Sequence, residues 1–321
     1  MTSHRSSRRD FLGATVGLSA IGLGWGCSTT REQDAPLPPD KPTVKLSLSV
    51  RVAESFHNKE KSEMTLDELI ALAKSAGYQA MCMRASQLGV HTPGERVKEA
   101  AEKIGRSGLA VSMVTGDFAV PRNDEHGPDG LRNITPYLDL AETLKAGLIR
   151  ICMKKDEDIE WAQKASDEAA ERNIRLAHQA HCASLFETVD GSERVLRAVG
   201  RANFGIIYEP ANWMVAGQNY GPETIRRLAA YIFNVYVQNH RLNPDGQATL
   251  TTWTKGRVPV DHIGIWDTGG VDFDSVFEGL HAIGYHGYVT VHQAFGGIMS
   301  VTDAVTKSHE FLKVYSGDGP A

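Results

Sequence analysis

The sequence has little of several features by which protein classes are recognised. It has only four cysteines among 321 residues, and none of them form a CxxC pair. A disulfide-stapled scaffold and a cysteine-rich zinc site are therefore excluded. The formal net charge of −5 offers no basic excess, so we expect no nucleic-acid partner. The chain also lacks the glycine-rich phosphate loops and the nucleophile elbow of common α/β enzymes, so we expect no nucleotide cofactor.

The first 43 residues have the composition of an export segment. Ser7-Arg8-Arg9-Asp10-Phe11-Leu12 resembles a twin-arginine signal, and the apolar run that follows it, Phe11 to Gly26, is too short to span a membrane. Gly26-Cys27-Ser28 resembles a bacterial lipoprotein cleavage site. We predict a signal peptide over residues 1–27, with Cys27 as a candidate lipidation site, and a proline-rich linker over 28–43.

This prediction implies passage through the twin-arginine export machinery. The protein would then reside in the periplasm or be attached to the outer membrane, with a lipidated Cys27 as its membrane contact. Residues 316–321 are predicted to form a short tail.

The remaining 272 residues, 44–315, alternate between short β-branched runs and amphipathic helical patterns. The eight predicted strands are Val44–Val50, Tyr78–Arg84, Leu109–Thr115, Ala146–Met153, Ile174–His181, Phe204–Glu209, Ile232–His240 and Gly287–Gln293. Alternating strands and helices indicate a parallel sheet, and eight such units suit a single-domain (β/α)₈ TIM barrel. An open doubly wound sheet is the alternative, and the missing Gly-x-Gly-x-x-Gly motif counts against its dinucleotide-binding form.

Polar side chains collect at the ends of the last four predicted strands. In a (β/α)₈ barrel those ends carry the functional groups, and alternate residues of a strand share one face. The residues that this pattern brings to one end of the barrel are Gln179, His181, Glu209, Gln238, His240 and His292. His178 takes the opposite face of its strand. A carboxylate with two or three imidazoles is a plausible ligand set for a divalent metal.

At these residues the chain resembles the sugar phosphate isomerase/epimerase superfamily with the xylose isomerase-like barrel. The resemblance rests on Gln179-Ala180-His181, where the family usually has Glu-Asn-His, and on Tyr208-Glu209-Pro210-Ala211-Asn212, where it has Asp-x-x-Asn. Gly284-Tyr285-His286-Gly287, followed by a strand that ends at His292, and Gly270-Val271-Asp272-Phe273 are also similar to the family. The resemblance covers most of residues 44–315 and implies the barrel more firmly than any substrate.

The resemblance implies one divalent metal, held by residues from strands five to eight. The implied ligands are Gln179, Glu209, Gln238 or His240, and His292. Nitrogen ligands would favour Zn, Mn or Co over Mg. Two family carboxylates are replaced here by Gln179 and His292, and a neutral amide cannot act as a general base. The proton transfer between paired carboxylates that family epimerases use therefore cannot be carried over intact.

Three functions remain open at this point. The first is an exported isomerase or epimerase-like enzyme that abstracts a proton next to the carbonyl of a sugar or oxidised glycoside, with His292, His181 and Glu209 as catalytic residues. A lyase or hydrolase of 3-keto-glycosides would use the same first step. The second is a metal-free or non-catalytic sugar-binding barrel. The third is a structural lipoprotein.

The expected ligand is a small carbohydrate. Beyond Gln179 and Asn212, the candidate substrate-binding residues are Arg84 and Lys154 at strand ends, and Trp253 and Arg257 in the long segment Arg241–Val271. Arg51 and Asp117 also lie near strand ends.

Overall fold

The computed structural model describes residues 44–55, 59–115 and 125–316. The predicted signal peptide, Cys27, the linker, Asp117 and nearly all of the predicted tail lie outside these residues. Within them, no helix is long and apolar enough to cross a membrane.

Eight parallel strands close into a barrel in the described part of the chain. Seven follow one another in order, and β11 closes the barrel between β7 and β1. The barrel strands are β1 Lys45–Ser49, β2 Ala80–Met83, β3 Ala110–Thr115, β4 Leu148–Ile151, β5 Arg175–Gln179, β6 Phe204–Tyr208, β7 Ile232–Val237 and β11 Tyr288–Val291. The predicted single-domain (β/α)₈ barrel is confirmed, and the open doubly wound sheet is excluded.

Helices connect the strands and cover the outside of the barrel. They are α1 Leu66–Ala76, α2 Gly94–Arg106, α3 Asp129–Arg132, α4 Thr135–Thr143, α5 Asp158–Glu171, α6 Val189–Val199, α7 Pro210–Val215, α8 Pro222–Leu228, α9 Phe273–Ala282 and α10 Val301–Leu312. Local sequence sets several of their ends. Thr65 and Glu68 form a capping box at the start of α1, and Gly77 ends that helix with a φ of 98°.

The interior of the barrel is filled in layers. An apolar layer lies at mid-height and consists of Cys82, Met113, Leu148, Ala177, Ile207 and Tyr236. Buried polar side chains also fill the interior, where Ser47 bonds to Ser112 at 2.7 Å and Thr290 donates to Asn234 at 3.0 Å. The interior is therefore a packed core, and the space for a ligand lies at the carboxyl ends of the strands.

A second, antiparallel sheet follows β7. It consists of β8 His240–Leu242, β9 Ala248–Thr252 and β10 Gly256–His262. The sequence prediction treated this segment as a long loop and ran strand seven on to His240. Strand seven in fact ends at Val237, because Asn239 bonds through its side-chain nitrogen to the carbonyls of Gly264 and Asp267 and turns the chain into the new sheet.

Candidate active site

A buried carboxylate, Glu209, occupies the centre of the carboxyl end of the barrel. It directly follows β6 and has no solvent exposure. Gln179, the last residue of β5, and Gln238, just after β7, each donate an amide N–H to it, one to each oxygen. Asn212, in the first turn of α7, adds a third bond at 2.8 Å. Three amides thus surround the Glu209 carboxylate in the described structure.

Burial raises the pKa of Glu209 to about 7. The hydrogen bond from Gln179 and the charges of Arg150 and Arg51 act in the opposite direction but do not cancel the effect of burial. A carboxyl group with this pKa exchanges a proton near neutral pH, which is the property that a general acid or base needs.

His292 follows β11 and is held on two sides. Its Nδ1 lies 3.1 Å from the hydroxyl of Ser49, and its ring stacks on Tyr236 with centroids 3.7 Å apart. Burial, together with the positive charges of Arg84 and Arg51, lowers the pKa of His292 well below its usual range. The imidazole is therefore neutral at pH 7 and suited to hydrogen bonding rather than to proton abstraction.

Three arginines, Arg51, Arg84 and Arg150, lie at the barrel mouth together with a second buried carboxylate, Glu54. The buried carboxylate of Glu54 accepts two bonds from Arg84, at 2.8 and 3.0 Å, and one from Arg51 at 3.3 Å. Arg150 is 4% exposed on β4, and its charge acts on Glu209, His181 and His292. Burial and the neighbouring Arg84 lower the pKa of Arg51 to about 10, so the Arg51 guanidinium group stays charged at neutral pH.

The sequence analysis missed Glu54 and Arg150. Arg150 carried a usable signal, because a charge inside the apolar strand Leu148–Ile151 is rarely buried without a function. Glu54 carried none, because it follows the short 3₁₀ helix Val50–Ala53, where no alternation indicates the direction of its side chain.

The predicted catalytic His181 is half-buried just beyond β5. Its Nδ1 bonds to the carbonyl of Cys182 at 2.7 Å, and burial followed by the charge of Arg150 lowers its pKa well below the usual range. His178 takes the other face of the strand, as predicted, and stacks on Phe186.

The sequence analysis expected His240 on the inward face of strand seven, and this prediction is wrong. It opens β8, and its Nδ1 lies 2.9 Å from Nδ1 of His262 on β10. The reason is the early end of β7 at Val237, which removes His240 from the alternation that brings Gln238 inward. Gln238 is therefore the residue after strand seven that contacts Glu209.

The remaining predicted substrate residues are divided between the site and its rim. Arg84 lies in the arginine cluster described above. Lys154 follows β4, donates to the carbonyl of Ala183 and lies 5.7 Å from the centre of the Trp253 ring. Arg257 is exposed on β10, away from the group around Glu209.

The side chains around Glu209 do not fit a divalent metal. In the described ranges, no three His, Cys, Asp or Glu residues lie close enough together to hold one. Both oxygens of Glu209 already accept amide hydrogens, and two arginines act on it. The buried Oε1 of Gln179 has no partner among the described residues, but one amide oxygen beside guanidinium groups is a poor cation site. The predicted set of Gln179, Glu209, Gln238, His240 and His292 is thus not assembled as a metal centre.

The fold agrees with one protein family. A family model for the xylose isomerase-like TIM barrel matches residues 70–314, and the chain belongs to that family. No curated protein sequence matches the chain.

Solved structures with the same fold are distant in sequence. A xylose isomerase domain protein from Planctomyces limnophilus superposes with a TM-score of 0.64 at 15% identity, covering 86% of this chain and 97% of that one. The IOLI protein with a bound zinc atom gives 0.63 at 16% identity, covering 86% and 99%. A D-allulose 3-epimerase from Methylomonas sp. gives 0.60 at 15% identity, covering 85% and 98%. At these identities the likeness shows the fold.

Proposed function

We propose that this protein is an exported enzyme that removes a proton next to the carbonyl group of a sugar or oxidised glycoside, with Glu209 as the base. The observation that carries the proposal is the pKa of about 7 for a buried carboxyl group at the carboxyl ends of the barrel strands. The family membership supports a sugar-modifying enzyme, since an epimerase is among the similar folds.

The residues around Glu209 supply what this reaction needs without a metal. Removal of a proton next to a carbonyl places negative charge on the carbonyl oxygen. The guanidinium group of Arg150 and the neutral imidazole of His292 stabilise that oxygen, and the hydrogen bond between Nδ1 and the Ser49 hydroxyl fixes the orientation of the ring. Gln179, Gln238 and Asn212 hold the Glu209 carboxylate in place.

One base, rather than two, limits the outcome of the reaction. The site has Gln179 where family epimerases have a second carboxylate, and the nearby imidazoles of His292 and His181 are poor bases because their pKa values are lowered. A base on one face of the substrate suits proton return to that same face, as in an aldose–ketose isomerisation, or loss of a leaving group from the next carbon. It suits inversion at one carbon less well.

The test is hydrogen exchange in D₂O. Keto sugars and 3-keto-glucosides are incubated with the protein, and the loss of the proton next to the carbonyl is followed by NMR. We expect Glu209→Gln to slow exchange by at least about 10²-fold, because a general base contributes about that much. Glu209→Asp keeps a carboxylate, the group the family has at this position, and should retain part of the activity.

The same exchange measurement is repeated after the metal ions have been removed by chelation. Because the donor set does not fit a divalent ion, dialysis against EDTA should leave the exchange rate unchanged. Exchange that persists in Glu209→Gln, or that requires added Zn or Mn, contradicts the assignment of Glu209 as a metal-independent base.

The second candidate function is a sugar-binding barrel without catalysis. It is favoured by the replacement of a family carboxylate with Gln179, which donates to Glu209 and cannot move a proton. If this candidate is correct, the wild type and Glu209→Gln both bind sugar, and neither protein catalyses hydrogen exchange at any carbon in D₂O.

A further inference from the structure

An exposed aromatic ring stands at the tip of the β9–β10 hairpin. Trp253 occupies the turn between the two strands, and 56% of it is exposed to solvent. Its neighbours Thr251, Thr254, Lys255 and Arg257 are polar and exposed as well. A lone indole with a polar border is too small an apolar patch to hold a protein partner. It has the size and amphipathic character for stacking on one sugar ring.

A buried carboxylate fixes the backbone beneath this ring. Glu187 is 2% exposed and accepts the backbone N–H groups of Trp253 at 2.8 Å, Thr254 at 2.7 Å and Ala183 at 2.5 Å. Burying a carboxylate is costly unless its oxygens are satisfied, and an ordinary surface turn needs no such anchor. The arrangement holds the Trp253 backbone in place before any ligand arrives, which lowers the entropy cost of binding.

The hairpin lies against the candidate active site. Val260 of β10 packs on Cys182 and Val215, and the thiol of Cys182 contacts the carbonyl of Asn212 at 3.6 Å. Asn212 in turn bonds to Glu209. Lys154 lies four residues after Arg150. Its Nζ is 5.7 Å from the centre of the Trp253 ring and donates to the carbonyl of Ala183. The indole therefore stands on the rim of the site, above the ends of β4 and β5.

We propose that Trp253, with Lys154 beside it, is the platform of a second sugar-binding subsite, so that the substrate is a glycoside of at least two rings. This inference rests on the proposed function for the position of the reacting ring at Glu209. The reacting ring occupies the mouth of the barrel, and the next ring stacks on the indole, while Lys154 donates to its hydroxyl groups.

The test compares ligands of one and two rings by calorimetric titration. The probes are glucose, maltose, cellobiose and trehalose, titrated into the wild-type protein and into Trp253→Ala. We expect the wild type to bind at least one of the disaccharides more tightly than glucose, and Trp253→Ala to lose about tenfold in affinity for that disaccharide. Its affinity for glucose should change less than twofold.

Trp161→Ala is the matched control. Trp161 lies on the outer helix α5, is 39% exposed, and carries Lys164 over its ring as Trp253 carries Lys154. The Trp161→Ala variant should bind all four probes with the affinity of the wild type. If no disaccharide binds more tightly than glucose, or if the two alanine variants bind alike, the subsite does not exist. Exchange in D₂O of a two-ring 3-keto-glycoside at sub-saturating concentration that depends on Glu209 but not on Trp253 would overturn the subsite and leave the proposed function standing.

Discussion

Two buried carboxylates at the barrel mouth differ in what neutralises them. Glu54 is ion-paired, and although burial alone would raise its pKa, Arg84 followed by Arg51 keeps it below the usual value. Glu209 receives amide hydrogens instead of direct guanidinium bonds, and its pKa is raised. Amides satisfy the oxygens without supplying a full counter-charge, so the proton is retained to higher pH. The same end of the barrel thus contains one permanent anion and one titrating group.

This difference predicts how stability depends on pH. The pKa of Glu209 rises from 4.5 to about 7 on folding, so the folded state holds the proton more tightly. The resulting stability is present below pH 4.5 and is lost as the pH rises to about 7. Relative to Glu209→Gln, which does not titrate, the wild type should lose about 3 kcal/mol of unfolding free energy over that range.

Urea unfolding of both proteins at pH 4.5 to 8 measures this difference. The activity should change in the opposite direction, because the base must be ionised, and kcat/KM should rise with a midpoint near pH 7. A constant difference between the two proteins across the range would show that Glu209 has an ordinary pKa and would remove the basis for its role as the base.

The residues around Glu209 could be predicted from the sequence where strand alternation holds. Gln179 is the last residue of its barrel strand, and Glu209, Gln238 and His292 directly follow theirs, so the period of two residues indicates their direction. His240 could not be placed, because Asn239 turns the chain through side-chain bonds to residues far along the sequence. No local pattern contains that information.

At the scale of elements, the added sheet β8–β10 is what the sequence analysis missed. The alternation of apolar and polar residues in Ala248–Thr252, with threonine at three of the five positions, was a visible strand signal. Pro259 opposed it, since proline is rare inside strands. In the structure Pro259 nevertheless lies within β10, where its carbonyl accepts a bond from the backbone N–H of Asn243 at 3.3 Å. The added sheet also depends on tertiary contacts, and one of these is the Glu187 carboxylate, which accepts the backbone N–H groups of Trp253 and Thr254 in the β9–β10 turn.

Glu187→Ala tests the anchor. It leaves three backbone N–H groups without their carboxylate, and we expect a loss of about 2–4 kcal/mol in the unfolding free energy. Deuterium exchange should accelerate in residues 248–262 and stay unchanged in β1 and β11. Glu193→Gln is the control, because Glu193 forms surface ion pairs with Arg197 and Arg227, and such pairs contribute little. Equal exchange in the hairpin of both variants would mean that the sheet is held by its own ladder.

At the scale of the whole molecule, the sequence predicted the barrel because its eight strand–helix units repeat the same two hydrophobic periods. The closed order of strands follows from those units, since consecutive parallel strands pair side by side. The substrate could not be predicted in this way. Glu54, Arg150 and the hairpin at the barrel mouth come from three separate parts of the chain, and no local pattern in the sequence brings them together.

The proposed export to an oxidising compartment makes the reactivity of the thiols a relevant property of the molecule. The three cysteines of the described structure form no disulfide, and each is buried, with Cys82 and Cys152 at 0% exposure and Cys182 at 5%. Burial raises the pKa of Cys82, and it raises that of Cys182 to about 12. The thiolate is the reactive form, so both a high pKa and burial suppress oxidation.

We therefore expect Ellman's reagent at pH 8 to leave these three thiols unmodified in the folded protein and to modify all three in guanidinium chloride. Mass spectrometry of peptides separates them from Cys27. Rapid labelling of Cys182 in the folded state would show that the hairpin opens above it, since Val260 of β10 covers that thiol. Slow labelling of all three is the result expected if burial in the closed barrel protects the thiols, and such protection would suit the oxidising compartment of the proposed export.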